Sequence, residues 1–433
     1  MSESPLKVAL VALNRPGYQS LALGYLRAYA QQNEHLQDRV AFQTLDLTTE
    51  AEPWWAAFRI LRMQPDVVAF SVSCWNADPT YEVCSIIKRS RPQMLTVVGG
   101  PEVSPIAEGI LKANPSIDVV VRGEGEVTFA ELLRAVATDA PAWECEGVTA
   151  WEGERIVSAP DRPLIEDLDV LPSPYVAGLL QPSESLSYVE TYRGCPHRCA
   201  YCYEGKGTAR VRSFSRERIK SELDAVATTP GIRAISFVDS VFNLTPDRLS
   251  WLADLLEPYA KRGLHLHTIE VDMERIDVSA ASELVRAGVV SVETGPQTVG
   301  FQALGACHRP FNADRFAHGV SALRAVGIRV ECDLIFGLPG DDPFDIIRGL
   351  RWLLSLDPGI LQSSTLRVLP GTELWTRSGD MGLEYEPHRE HAVIQTPGID
   401  FTDLRRLEVM AAALQEAYRA RSDEYATLSI GTL

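Results

Sequence analysis

Three cysteines crowd into eight residues, in the stretch Cys195-Pro-His-Arg-Cys199-Ala-Tyr-Cys202. Thiolates spaced this closely on one loop can face a single soft metal centre. A structural zinc site would need a fourth ligand, because such sites are closed and tetrahedral. His197 lies between the cysteines and is poorly placed to serve. Three cysteines can hold three irons of a 4Fe–4S cluster and leave the fourth iron open to a ligand. A zinc loop, or coincidence, is the competing explanation. The other five cysteines (Cys74, Cys84, Cys145, Cys307 and Cys332) are scattered. Cys307 and Cys332 read as small buried hydrophobes.

The elements that must position this loop follow from the hydrophobic pattern. The chain has 433 residues, of which 45% are apolar and 23% charged, with a formal charge of −17. Its length predicts two or three domains. The negative balance argues against nucleic acid or an anionic membrane as partner. No apolar run is long enough to span a membrane, and residues 1–7 lack the pattern of a secretory signal. A cytoplasmic, reduced protein is expected. Short apolar runs at 8–13, 40–45, 67–72, 95–98 and 117–121 alternate with helical patterns, which predicts a doubly wound parallel sheet of Rossmann type. Ligands of such sheets bind in the loops after the strands. A hairpin pattern at 147–158 and a proline-rich stretch at 160–182 follow. Strand patterns then recur at 186–191, 234–238, 264–271, 289–292, 330–336 and 360–368. They predict a (β/α)6 partial TIM barrel with its site at the C-terminal strand ends, and the cysteine loop follows the first of them. The expected division is a Rossmann-like domain over 1–145, a hairpin and linker over 146–183, a barrel over 184–380 and a helical extension over 381–433.

The cysteine stretch resembles the hallmark of the radical S-adenosylmethionine (SAM) superfamily, CxxxCxxC after the first barrel strand with an aromatic, here Tyr201, before the third cysteine. The resemblance implies that Cys195, Cys199 and Cys202 hold a 4Fe–4S cluster whose open iron chelates SAM. An electron from the cluster would then cleave SAM to a 5′-deoxyadenosyl radical. It also implies SAM contacts at later strand ends: Asp239 and Ser240 after the second, and Glu293 and Gln297 on the fourth. Gly337 in Asp333-Leu-Ile-Phe-Gly-Leu-Pro-Gly340, after the fifth, and Leu366, after the sixth, complete the set. The fifth stretch departs from the family's GxIxGxxE, with Asp333 for the first glycine and Gly340 for the glutamate. A helix cap accounts for any one of these polar residues equally well; their recurrence at successive strand ends favours a site.

The N-terminal half resembles the cobalamin-binding domain that precedes the barrel in one radical SAM subclass. Arg15-Pro-Gly-Tyr18, Ser73-Cys-Trp-Asn76, Val98-Gly-Gly-Pro-Glu102 and Arg122-Gly-Glu-Gly-Glu126 carry this likeness. Gly99 and Gly100 could let backbone approach the cofactor, or could simply make a tight turn. The DxHxxG motif that supplies a cobalt-ligating histidine is absent. Members of the subclass either bind cobalamin without that ligand or keep the domain as a scaffold, and both outcomes stay open.

Tyr203, Glu204 and Glu270 are the expected catalytic candidates, near SAM and substrate. His265 and His267 are expected to share one strand face, and His388 to be solvated. The resemblances imply cobalamin-dependent C-methylation of a small, natural-product-type molecule, with a flavodoxin- or ferredoxin-type electron donor. Two alternatives stand beside this reading. One is a cobalamin-independent dehydration of an aminosugar, as in the radical SAM diol dehydratases of aminoglycoside biosynthesis. The other is a non-catalytic iron–sulfur or cobalamin-sensing protein.

Overall fold

The computed structural model describes residues 4–183, 186–204 and 210–430. These form two compact units. The first takes in the chain up to Leu186, together with Arg212–Thr229 and His388–Glu390; the second holds Ser187–Val211, Pro230–Pro387 and the chain from His391 onward.

The first unit is a seven-stranded sheet in the order β2-β1-β3-β4-β5-β6-β7. The parallel strands are β1 Leu6–Asn14, β2 Val40–Thr48, β3 Val67–Ser71, β4 Leu95–Gly99 and β5 Val119–Val121. Helices α1 Leu21–Gln32, α2 Pro53–Met63, α3 Ala77–Ser90, α4 Ala107–Ala113 and α5 Gly125–Ala137 alternate with them. Core residues divide between the two faces of the sheet. Val8, Leu10 and Ala12 pack on one side with Phe129 and Leu133, and Ala9, Val11 and Leu13 on the other with Ile60 and Ile87. Burial on both faces explains why β1 is continuously apolar. The hairpin β6 Val148–Glu152 and β7 Arg155–Ser158 continues this sheet in antiparallel pairing. The order 2-1-3-4-5 places a topological switch point between β1 and β3, where open α/β sheets bind ligands.

The second unit carries the barrel strands. It begins with β8 Ser187–Val189 and β9 Tyr192–Arg193, while β10 Arg212–Ser213 and α6 Arg216–Ala227 belong to the first unit. Then come β11 Ala234–Phe237, α7 Pro246–Ala260, β12 His265–Leu266, β13 Ile269–Glu270, α8 Val278–Arg286 and β14 Ser291–Gln297. Helices α9 Phe301–Ala306 and α10 Ala313–Ala325 precede β15 Arg329–Phe336, α11 Pro343–Leu356 and β16 Ile360–Thr365. All these ladders are parallel, in the orders β12-β11-β8 and β13-β14-β15-β16. The third barrel strand differs from expectation. It breaks into β12 and β13 at Thr268, whose φ is 50°, a left-handed conformation that interrupts a strand and is costly for a β-branched residue. An isolated bridge from Leu266 to Val289 joins the two sheets across the break. Each returning helix starts on a polar cap: Thr245, Asp277, Asn312 and Asp342 accept from backbone N–H groups of α7, α8, α10 and α11. Such caps satisfy donors that the first helical turn leaves free. The last helix, Phe401–Ile430, packs on β16, where Gln415 Nε2 donates to Ser363 Oγ at 2.8 Å. Among the described residues, no helix is long and apolar enough to cross a membrane.

Candidate active site

A cavity of about 470 Å³ opens in the second unit at the strand ends. Cys195, Cys199 and Cys202 line it together with Tyr201, Glu204, Ser240, Glu270, Glu293, Gln297, Asp333 and Arg309. The cysteine loop is held by backbone contacts on both sides. Ala200 N–H donates to Cys307 O at 3.0 Å, and Leu374 N–H donates to Ala200 O at 3.1 Å. The loop closes on itself through Cys202 N–H to Cys199 O at 3.0 Å. Gly194, just before it, has φ 98°, and a Cβ there would lie 2.6 Å from Arg210 O. Glycine is therefore needed at the entry to the loop.

The three sulfurs are electrostatic neighbours of one another. Burial pushes the Cys202 thiol up to about 11, against a backbone hydrogen bond at Glu204 that lowers it. Burial likewise raises Cys195, with the Ser240 hydroxyl opposing. Among the described residues, no group of three or more His, Cys, Asp or Glu side chains converges on a point that could hold one ion. A single zinc ion needs its thiolates gathered at about 2.3 Å. Three sulfurs that face one cavity from a single loop fit a multi-iron cluster, in which each iron takes its own thiolate. A guanidinium adds to the fit, since Arg309 Nη1 donates to Cys199 Sγ at 3.6 Å.

Carboxylates surround the rest of the cavity. Glu270, Glu293 and Glu331 are register partners on β13, β14 and β15, the first two lining the cavity and Glu331 buried outside its lining, so like charges stand side by side across parallel strands. Glu270 is open to the cavity yet ringed by protein atoms, and burial, then Glu293 and Glu204, push its carboxyl up to about 7. Asp333 is raised further, by burial first and then by Glu293, to which it is hydrogen-bonded. A glycine at that position would leave the pair unmade. His197 Nε2 lies 3.9 Å from Asp272 Oδ2; burial holds the imidazole below its usual range.

Several expected site residues lie elsewhere. Asp239 is 1% exposed. Its Oδ1 accepts from Thr191 N–H at 2.9 Å, and its Oδ2 from the Thr191 hydroxyl and from Arg248 Nη2, the last at 2.9 Å. Both oxygens are used inside the core, so the carboxylate does not face the cavity. Leu366 is buried, its N–H donating to Phe336 O and its carbonyl accepting from Val393 N–H. Gly337 is buried with φ 85° and faces the Val393 side chain. Tyr203 is half-buried and does not line the cavity. His267 does not line it either. Arg309, by contrast, was not anticipated. Its only local signal is its place before Pro310, beyond the short helix that follows β14. Glu270 and Glu293, by contrast, were legible in the sequence, each falling near the end of an apolar run, and both line the cavity.

In the first unit, Asn76 ties the switch point together. Its Nδ2 donates to Leu13 O and Ser71 O, both at 3.0 Å, and its Oδ1 accepts from Ser73 N–H at 2.8 Å. Tyr18 and Trp75 stand exposed there, with the Arg15 guanidinium 5.9 Å from the Trp75 ring centroid. A hollow of about 340 Å³ lies beside Arg15, Tyr18, Thr48 and Trp55. An open apolar edge with exposed aromatics fits a large flat cofactor, which buries apolar surface against it. At Gly100 the backbone makes a close approach within the protein itself. With φ 114°, a Cβ there would lie 2.5 Å from Val72 O, so glycine lets the ends of β3 and β4 meet. Gly99 similarly abuts Val121 O. His35 lies between α1 and β2, at the edge opposite the switch point. His388, largely exposed as expected, lies 3.9 Å from Asp78 on α3.

Residues 189–353 match the Radical SAM superfamily, and residues 16–133 match the B12 binding domain. The cobalamin-dependent radical SAM methyltransferase TokK of Streptomyces tokunonensis is 27% identical over 431 residues, covering 93% of this chain and 61% of that protein. The 2-(S-pantetheinyl)-carbapenam-3-carboxylate methyltransferase of Streptantibioticus cattleyicolor is 30% identical over 279 residues, covering 60% of this chain and 40% of that protein. The chain thus spans less than two thirds of the length of each of these two relatives. Among solved structures, the radical SAM methyltransferase TsrM from Kitasatospora setae, with cobalamin and a [4Fe-4S] cluster bound, superposes with TM-score 0.71 at 19% identity, covering 93% of this chain and 81% of that one. The cobalamin-dependent SAM radical enzyme OxsB, with aqua-cobalamin and SAM bound, gives TM-score 0.72 at 15% identity, covering 94% and 66%. At these identities the structural likeness establishes the fold. The similarity to methyltransferases does not favour the dehydratase alternative. A radical SAM domain implies a 4Fe–4S cluster and SAM, and a B12-binding domain implies cobalamin. The cysteine loop in its cavity, the switch-point sheet and these two matches together show that the chain carries a Radical SAM domain over residues 189–353, preceded by a B12 binding domain over residues 16–133.

Proposed function

We propose that this enzyme methylates a small, natural-product-type molecule at carbon, using SAM and cobalamin. The observation that carries the reading is the single cavity that gathers three cysteines and a ring of carboxylates, in a chain similar to a cobalamin-dependent methyltransferase over 93% of its length. Cys195, Cys199 and Cys202 hold the cluster. When bound, the cluster and SAM supply a 5′-deoxyadenosyl radical that takes a hydrogen atom from substrate, and cobalamin supplies the methyl group. Ser240, Tyr201, Glu293 and Gln297 orient SAM beside the cysteines. Glu204 and Glu270 meet the substrate, and Glu270 can hold or release a proton near neutral pH because its carboxyl titrates close to 7. The β1/β3 edge of the first unit holds cobalamin, with Tyr18 and Trp75 giving apolar cover. A flavodoxin- or ferredoxin-type protein supplies the electron.

The test is anaerobic reconstitution with iron, sulfide and cobalamin, followed by SAM labelled in its methyl group and a strong reductant. The expected result is one cobalamin retained per chain and label transferred to it, then to a small-molecule acceptor. Retained cluster with no cobalamin and no label transfer would overturn the proposal.

A further inference from the structure

One cation in the cavity touches the cysteine loop directly, and the reading above gives it no task. Arg309 follows α9, and its N–H donates to Leu304 O at 2.9 Å. His308, with φ 53°, turns the chain there, and its Nε2 is 3.0 Å from Glu373 Oε2. The guanidinium is then held at two points. Nη2 donates to the Gly295 carbonyl on β14, and Nη1 to Cys199 Sγ at 3.6 Å. No side chain fits at Gly295, since a Cβ there would sit 2.6 Å from Asp333 O. The fork geometry of arginine means that fixing one nitrogen on Gly295 aims the other.

We infer that Arg309 is a positioning residue that acts through Cys199, raising the reduction potential of the cluster held by the cysteine loop. The inference rests on the proposed cluster site. Reduction moves one electron from an external donor onto the cluster, and the total charge of cluster and thiolates becomes more negative by one. A fixed guanidinium hydrogen-bonded to a ligating sulfur favours that more negative state, and hydrogen bonds to cluster sulfurs are an established lever on potential. The effect opposes Glu204, an anionic neighbour of both Cys195 and Cys202. Arg309 therefore offsets an acidic cavity that would otherwise make the cluster harder to reduce.

The test is anaerobic redox titration of the reconstituted, SAM-free chain with titanium(III) citrate, which is oxidised to titanium(IV) as the cluster takes its electron. The reduced cluster is counted by electron paramagnetic resonance. Arg309→Met removes the charge and both donors; Arg309→Gln is also neutral but keeps an amide able to reach Gly295 O, which guards against loss of folding. Either neutral variant is expected to weaken the reduction equilibrium about tenfold, a fall of about 59 mV for one electron. Arg309→Lys should recover part of that fall. A neutral variant that loads a full cluster and titrates within about twofold of the parent overturns the inference and leaves the cluster assignment standing. A parent chain that binds no cluster overturns the proposed function and this inference with it.

Discussion

Replacing Arg248 by Met should destabilise the second unit severely, and the size of the effect follows from what surrounds Asp239. The Arg248 and Asp239 side chains are 8% and 0% exposed, with Nη2 and Oδ2 at 2.9 Å. The guanidinium also lies 4.8 Å from the Tyr192 ring centroid and 5.6 Å from that of Trp251. An exposed ion pair would be worth about 0–1 kcal/mol. Here the variant leaves a buried carboxylate held by neutral donors, among them the Thr191 hydroxyl and the backbone N–H groups of Thr191 and Tyr192, and breaking a buried pair typically costs about 3–5 kcal/mol. That is a large share of the ~5–15 kcal/mol that holds a domain folded. Burial already raises the Asp239 carboxyl, with Arg248 the largest opposing influence. Without Arg248 its folded value rises further above the unfolded one. The unfolded chain then binds fewer protons than the folded chain between those two values, so stability falls as pH rises through them. The deficit of Arg248→Met should therefore be greatest at alkaline pH and shrink as pH falls toward 4. Urea unfolding followed by tryptophan fluorescence measures it, read as the midpoint of the second unit's transition because a two-unit chain need not unfold in one step. A loss below about 1 kcal/mol at pH 8, accompanied by lost SAM affinity, would refute the reasoning and return Asp239 to the ligand site.

Two further substitutions probe the other features. Gly100→Ala should destabilise the first unit by at least about 2 kcal/mol, from the left-handed backbone and the clash with Val72 O together; a parental urea midpoint would show that β3 and β4 can separate there freely. Glu270→Gln should stabilise the chain relative to the parent at pH 8 and be neutral near pH 4. A carboxyl whose folded value is raised costs stability above its unfolded value, and the amide removes that cost. Equal melting temperatures of variant and parent at pH 8 would contradict the crowding of Glu270 by Glu293 and Glu204.

Much of this was legible in the chain because it depends on local pattern. The continuous apolar run of β1 and its successors predicted a buried parallel sheet. The spacing Cys195, Cys199, Cys202 predicted a shared centre, and all three line one cavity. What escaped depends on contacts between residues far apart in the chain. Asp239 sits one residue before Ser240, yet the two go opposite ways, the serine to the cavity and the aspartate to Arg248 and Thr191. No periodicity distinguishes them, because both lie in a loop beyond a strand end. Arg309 meets Cys199 across 110 residues, a pairing that only the folded barrel strands create. The break at Thr268 was hidden because the run 264–271 is apolar enough for one strand, and a left-handed residue leaves no mark on that pattern. Gly100 was visible as a special position, but whether its missing Cβ makes room for a ligand or for Val72 is a question of tertiary contact.

Electron paramagnetic resonance of the anaerobically reconstituted, reduced chain, recorded with and without SAM, tests the cluster site most directly. The expected signal is that of a reduced 4Fe–4S cluster that changes on adding SAM, as an open iron gains a ligand, and that disappears when Cys199 is replaced by Ala. A chain that takes up no such cluster, or a cluster whose signal is indifferent to SAM, would contradict the cluster assignment.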